Sequence, residues 1–209
     1  MAGTDAQQTW NTHDSNVALF ETLSKPGPRR PALPTEIILQ ILVYPSRWVL
    51  ASSATRDSPY INRETNTETP ILETPPLCHP ASLVRKIVFT FRSKDQGWSS
   101  FRDDHGSYRN SWTWFDAGLR RLSGSGLSNA GLPIVEVDTA RHFLQCNRHA
   151  HDNFLRYRIE IDRDHQLVQG LVEGDKVVLW ACQKFQGWAN LVESAEIEVW
   201  ALDELFAYG

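Results

Sequence analysis

Between Val84 and Leu202 the chain repeats one pattern: a short run of alternating apolar and polar residues, then a cluster of glycine, asparagine, aspartate or serine. Alternation with period two puts every second side chain on one face of an extended strand, and the residues in between are those that close tight turns. "LVRKIVFTF" is the clearest case, with Ile87, Phe89 and Phe91 facing one way. "NFLRYRIEID" matches it with Leu155, Tyr157, Ile159 and Ile161. "SWTWFDAG", "LPIVEVD", "RHFLQCNRHAH", "DKVVLWACQKF" and "SAEIEVWAL" extend the series; in the first of these Trp112 and Trp114 are expected on the core face, opposite Thr113 and Phe115. Short strands in this number, with few helical patterns among them, predict a mainly β chain whose residues 82–209 form an antiparallel β-sandwich of jelly-roll type.

The N-terminal part reads differently. Residues 1–32 are polar and end in "SKPGPRRPA", where proline and glycine oppose helix and sheet alike, so a flexible, disordered tail is expected. In "LPTEIILQILVYPSRWV", Pro34 suits the first turn of a helix and Glu36 sits near the positive end of its dipole. Leu33, Ile37, Ile38, Ile41 and Leu42 fall on one stripe at helical spacing, and Pro45 stops the run. Residues 33–50 are therefore expected to hold a short amphipathic helix. The Thr- and Pro-rich residues 51–81 are expected to be a linker loop, and "SGSGLSNAG" a flexible connector.

Bulk properties narrow the function. With 209 residues, 41% of them hydrophobic and 22% charged, one main folded domain is expected. A net charge of -4 supplies no electrostatic footprint for nucleic acid. The three cysteines are isolated and include no C-x-x-C pair, which fits free thiols in a reducing compartment. A basic start followed by an apolar run is missing, as is any run of the ~20 apolar residues that a membrane span needs. A cytoplasmic or nuclear protein without membrane contact is the expectation.

One short echo points to a site. Gln96-Gly97-Trp98 follows the strand around Phe89, and Gln186-Gly187-Trp188 precedes the last strand. In a jelly roll these two strands are often antiparallel neighbours, which would set both loops on one rim. A loop tryptophan offers a broad apolar face and one N–H donor, the equipment of a recognition surface. Asp95, Gln96, Trp98, His105, Gln186, Trp188 and Asn190 are the candidate ligand-binding residues.

Catalytic patterns are missing. No serine lies in a G-x-S-x-G elbow, and "GSGLSNAG" lacks the Lys-Ser/Thr of a phosphate loop. His142, Cys146, His149 and His151 carry donor atoms for a metal, but no second close pair completes a tetrahedral set, and a surface histidine cluster is the reading. Asp103, Asp104 and His105 are read as a solvated turn, because adjacent side chains usually point apart. No catalytic residue, metal or cofactor is expected.

"LPTEIILQIL" resembles the opening of an F-box, Leu-Pro-x-Glu-Ile/Leu-Leu/Ile-x-x-Ile-Leu, through Leu33, Pro34, Glu36, Ile37, Ile38, Ile41 and Leu42. The resemblance implies that these residues dock on a Skp1-like subunit of a cullin-based ubiquitin ligase. The segments from Val84 to Leu202 are similar to a β-sandwich region that recurs in fungal F-box-like proteins and, in outline, to the galactose-binding-like jelly rolls that read substrates in other ligase adaptors. The function implied is a non-enzymatic adaptor whose partners are a Skp1-like subunit and a protein substrate, recognised directly or through a modification. The sequence departs from an F-box after Pro45, where further leucine-rich helices would follow. Two alternatives stay open: the aliphatic stripe caps a face of the sandwich, or the sandwich is a stand-alone module for a carbohydrate or small polar ligand.

Overall fold

The computed structural model describes residues 21–27, 31–38, 48–65, 70–123 and 135–203. Among them are ten strands: β1 (Trp48–Arg56), β2 (Tyr60–Asn62), β3 (Leu72–Glu73), β4 (Val84–Lys94), β5 (Thr113–Ser123), β6 (Val135–Asp138), β7 (His142–Cys146), β8 (Leu155–Asp162), β9 (Lys176–Gln183) and β10 (Asn190–Leu202). They form two five-stranded antiparallel sheets. The first runs β1-β10-β4-β8 with β2 also paired to β10, and the second runs β3-β9-β5-β6 with β7 also paired to β5. The expected β-sandwich is the observed architecture, and each of the seven strand-like segments contains a strand.

The core lies between the sheets and follows the alternation. Ile87, Phe89 and Phe91 of β4 meet Phe115, Ala117 and Leu119 of β5, Val177, Leu179 and Ala181 of β9, and Ile197 and Val199 of β10. Phe91 stacks on Phe115 with ring centroids 3.9 Å apart. Full burial of side chains of this kind is worth about 1.5–3 kcal/mol each, so this facing set supplies most of what joins the sheets.

In β5 the faces are the reverse of the expectation. Thr113 and Phe115 are fully buried in the core, whereas Trp114 is half-buried and packs with Val178, Trp180 and Cys182 on the other side of the sheet. Trp112 precedes the strand and meets Phe185 edge-on at 5.1 Å. Tryptophan is amphipathic enough to serve either side of a sheet, so size alone misassigned the face.

The sandwich also begins earlier than expected. Residues 51–81, expected as a linker, contain most of β1 and all of β2 and β3. β1 is an edge strand that pairs with β10 from Trp48↔Leu202 to Arg56↔Ala195. Its sequence WVLASSATR has no apolar alternation, because a register irregularity between Leu50 and Ser52 interrupts the pleat and an edge strand tolerates polar residues on both faces. Inside the segment expected to be a flexible tail, residues 21–24 are helical, and the N–H of Leu33 donates to the carbonyl of Leu23 at 3.1 Å. Residues 35–38 are helical, and the residues from 39 to 47 lie outside the described ones. Ile38 is fully buried, Ile37 is 41% exposed, and Pro34 and Glu36 are exposed. Ile41, Leu42 and the connector residues 124–131 lie outside the described residues.

Candidate functional site: an aromatic rim

The two Gln-Gly-Trp loops meet. β4 and β10 pair antiparallel, with Leu191 opposite Lys94, so the end of one strand lies beside the start of the other. The Gln96 side-chain carbonyl accepts the Ala189 N–H at 3.2 Å, while its amide donates to the Trp98 carbonyl at 2.7 Å. Gly97 and Gly187 both adopt positive φ, 83° and 87°. The left-handed region favours glycine, and at Gly97 a Cβ would also come within 2.7 Å of the Asp152 carboxylate. The two loops thus share a glycine of positive φ before tryptophan, but close differently: the Trp188 N–H donates to the Phe185 carbonyl, and the Gly97 N–H to the Asp95 carboxylate.

Beneath the rim the core turns polar. Asn62, Ser93, Asp95, Thr113, Asn147, His149, Gln183 and Asn190 are all buried, and all lie at the ends of strands or in loops on this side of the sandwich. Asn147 is the hub. Its carbonyl accepts from the Ser93 hydroxyl at 2.7 Å, and its amide donates to Thr113 Oγ1 at 3.0 Å and Asn190 Oδ1 at 2.9 Å. Asn190 in turn donates to the carbonyls of Trp114 and Cys182 at 2.9 and 3.2 Å. Buried amides are costly unless paired, and those of Asn147 and Asn190 pair with each other and with both sheets, while the Gln183 amide and His149 Nε2 have no hydrogen-bond partner among the described residues.

Asp95 is a second anchor. Its carboxylate accepts N–H groups from Gly97 at 2.9 Å, Ala150 at 2.5 Å and His151 at 3.2 Å. Burial raises its pKa above the ordinary aspartate value, and the three N–H bonds and the nearby His149 work against that rise. Asp95 and Asn190 are therefore placed under the rim, where they position loops, and not on its surface.

His149 ties a third loop to the other two. It is fully buried, with Nδ1 at 3.0 Å from the Arg109 carbonyl. Its backbone N–H donates to the Ser107 carbonyl at 2.8 Å, and its carbonyl accepts from Gly106 at 2.7 Å. Its ring meets Trp188 edge-on at 5.2 Å and lies 5.8 Å from His105. The sequence reading missed this residue as a support, since nothing local marks a histidine as buried.

On top of this frame sits an exposed aromatic set. Trp98 is 65% exposed, Phe101 57%, Tyr108 47% and Phe185 45%. Cations flank it: Lys184 Nζ lies 4.8 Å over the Trp112 ring, and the Arg148 guanidinium lies 5.7 Å over Tyr108. These four aromatics are exposed on the loops at this end of the sandwich. His105 and Gln186 are exposed beside them, and His105 Nε2 lies 3.0 Å from the Ser99 carbonyl. Phe101, Tyr108 and Phe185 escaped the sequence reading because isolated aromatics in loops carry no periodic signal.

In the acidic turn the Asp104 and His105 side chains take different partners. Asp104 engages the Arg109 Nε at 3.2 Å and the Asn110 amide at 2.6 Å, while His105 faces Ser99. The four donor residues of the histidine segment separate: His142 packs on His165 at 5.0 Å, Cys146 Sγ lies 3.9 Å from the Tyr108 carbonyl, and His151 Nδ1 lies 3.0 Å from the Asn153 carbonyl. Among the described residues no group of three His, Cys, Asp or Glu side chains is placed to hold a metal ion. No helix among them is long and apolar enough to cross a membrane. A scan against protein-family models finds no match, and a search of curated proteins finds none either.

Proposed function

We propose that the chain is a non-enzymatic recognition module that engages a protein substrate, or a modification carried by it, through the aromatic rim. The observation that carries this reading is the exposure of Trp98 and Phe101 on loops locked from below by Asp95, Gln96, Asn147 and His149. Rigid loops lose little entropy on binding, and aromatic side chains supply the largest contact area per residue. Tryptophan fluorescence, titrated with panels of modified peptides and of glycans, tests it. A saturable change in the wild type that disappears in Trp98→Ala supports the reading, and a silent wild type across both panels removes it.

The adaptor role adds a second contact, a Skp1-like subunit on the helix that begins at Pro34. Exposure of Pro34, Glu36 and Ile37 favours it, because these residues belong to the F-box-like motif; of the aliphatic stripe, Ile37 is open while Ile38 is buried. Pull-down with Skp1 by the wild type and by Ile37→Asp tests it. Capture by the wild type and loss in the variant is expected, and no capture by the wild type ends the adaptor role while leaving rim recognition intact. In the stand-alone alternative the same rim takes a carbohydrate or small polar ligand, which the glycan panel distinguishes.

A further inference from the structure

At the end of the sandwich where β4 begins and β8 ends, a surface pocket of about 310 Å³ is lined by Ser82, Val84, Arg85, Arg163, Val168 and Leu171. The aromatic rim lies at the opposite ends of these strands, so the two features are separate. Two guanidinium groups share the pocket, and none of its lining residues is a carboxylate. A groove of similar size, about 300 Å³, crosses the outer face of the first sheet, and there Arg92 and Arg156 are accompanied by Asp57 and Glu196. Unlike that groove, the first pocket has no carboxylate in its lining.

Arg85 is fixed in place. Its Nη1 donates to the carbonyls of Ser82 at 2.7 Å and Val84 at 3.0 Å, which orients the guanidinium without neutralising it. Among the described residues the ion pair of Arg163 is with Asp164, at 3.9 Å; both side chains are largely exposed, and that carboxylate is outside the pocket lining. Burial and the neighbouring Arg163 charge lower the pKa of Arg85 from its usual value, as expected where two cations lack a counter-ion. Guanidinium groups stay protonated under such shifts, so an anion is the partner that relieves the repulsion. The rest of the lining is chemically distinct: Val84, Val168 and Leu171 are buried apolar residues at the floor, and Ser82 and Gln169 add uncharged polar groups.

We infer that this pocket is a binding site for a small organic oxyanion, a carboxylate or phosphate monoester whose short apolar body covers Val84, Val168 and Leu171 while Arg85 and Arg163 hold the charged head. The geometry combines what such a ligand needs: forked donors for the oxygens and an apolar wall for the carbon chain. The site is independent of the rim and of the adaptor role.

The test is an amide NMR titration of the full chain with hexanoate, hexyl phosphate, inorganic phosphate and the neutral hexanamide. The expected result is saturable shifts for hexanoate and hexyl phosphate at Ser82, Arg85 and Val168, with hexanamide and inorganic phosphate each about tenfold weaker or more. The relative strength of the two hexyl probes identifies the preferred head group. Arg163→Gln, which disturbs only one long contact to an exposed partner, should weaken both about tenfold and leave the remaining spectrum unchanged. Arg85→Gln together with Arg163→Gln should abolish binding; if the Arg85 change unfolds the start of β4, Arg163→Gln alone decides. Equal binding of hexanamide, unchanged binding by Arg163→Gln, shifts confined to the aromatic rim, or no saturable shift at millimolar probe would each overturn the assignment.

Discussion

Gln96 and Ala189, 93 residues apart in sequence, are joined by a hydrogen bond of 3.2 Å from the Ala189 N–H to the Gln96 side-chain carbonyl. That bond crosses between the loops that carry Trp98 and Trp188. Removing it in Gln96→Ala frees both loops while leaving the strands paired. The change also removes the Gln96 amide bond to the Trp98 carbonyl, so stability should fall by about 1–2 kcal/mol, and amide exchange at Ala189 should accelerate. Hydrogen exchange followed by NMR checks this; unchanged protection at Ala189 would show that the strand pairing alone holds the loops.

Asn147 has a larger role. Its side chain meets Ser93, Thr113 and Asn190 inside the sandwich, so Asn147→Ala leaves three buried polar groups without that partner. A loss of about 3 kcal/mol is expected in chemical denaturation, well above the cost of an exposed Asn→Ala change. A loss below about 0.5 kcal/mol, the scale of a surface change, would mean that the network is not a structural support.

β1 belongs to the sandwich, which fixes where the domain can be cut. A chain beginning at Pro45 keeps the pairing of Trp48–Arg56 with β10 and should melt cooperatively. A chain beginning at Ser82 lacks β1, β2 and β3, leaving β10 and β9 with open edges, and should be unfolded or aggregated. Circular dichroism melts of the two chains check it; equal cooperative melting would contradict the role of β1.

The contrast between the β-strands that were legible and those that were not has a physical cause. β4 and β8 announce themselves because one face is buried and the other is mostly polar: Ile87, Phe89 and Phe91 face the core, and of the residues between them only Val88 is apolar and buried. β1 carries Ser52, Ser53 and Thr55 at an edge, with an irregular register, and leaves no such trace. The neighbourhood of the two loops was legible through the repeated Gln-Gly-Trp, since each places a glycine of positive φ before a tryptophan at paired strand ends. Their supports were not: that Asn147, His149 and Asn190 are buried depends on pairing between segments distant in sequence, which no local pattern reports.

Thiol chemistry offers an independent check on the second sheet. Cys78 is exposed, while burial and the adjacent Asp116 carboxylate push the Cys182 thiol up to about 12. The thiolate is the reactive form, so Cys78 should label with a thiol reagent in the native protein and Cys182 only after unfolding. The same shift has a pH consequence. The folded pKa is above the unfolded value of 9.0, so the contribution is fully present below pH 9 and is lost as pH rises toward 12. Tyr157, pushed by burial from 10.0 to about 12, acts in the same direction from pH 10 upward. Urea midpoints between pH 8 and 11 should decline in the wild type, with a shallower decline in Cys182→Ala; parallel declines would place Cys182 in a more open setting.

The proposed function rests on the rim built by the two Gln-Gly-Trp loops. The most direct measurement is binding of the wild type and of Trp98→Ala with Phe101→Ala to an array of modified peptides and glycans, alongside their melting midpoints. Both side chains are more than half exposed, so their removal should leave the midpoint nearly unchanged. The account predicts array ligands held by the wild type and lost by the double variant at equal stability; ligands held equally by both proteins, or none held by the wild type, would contradict it.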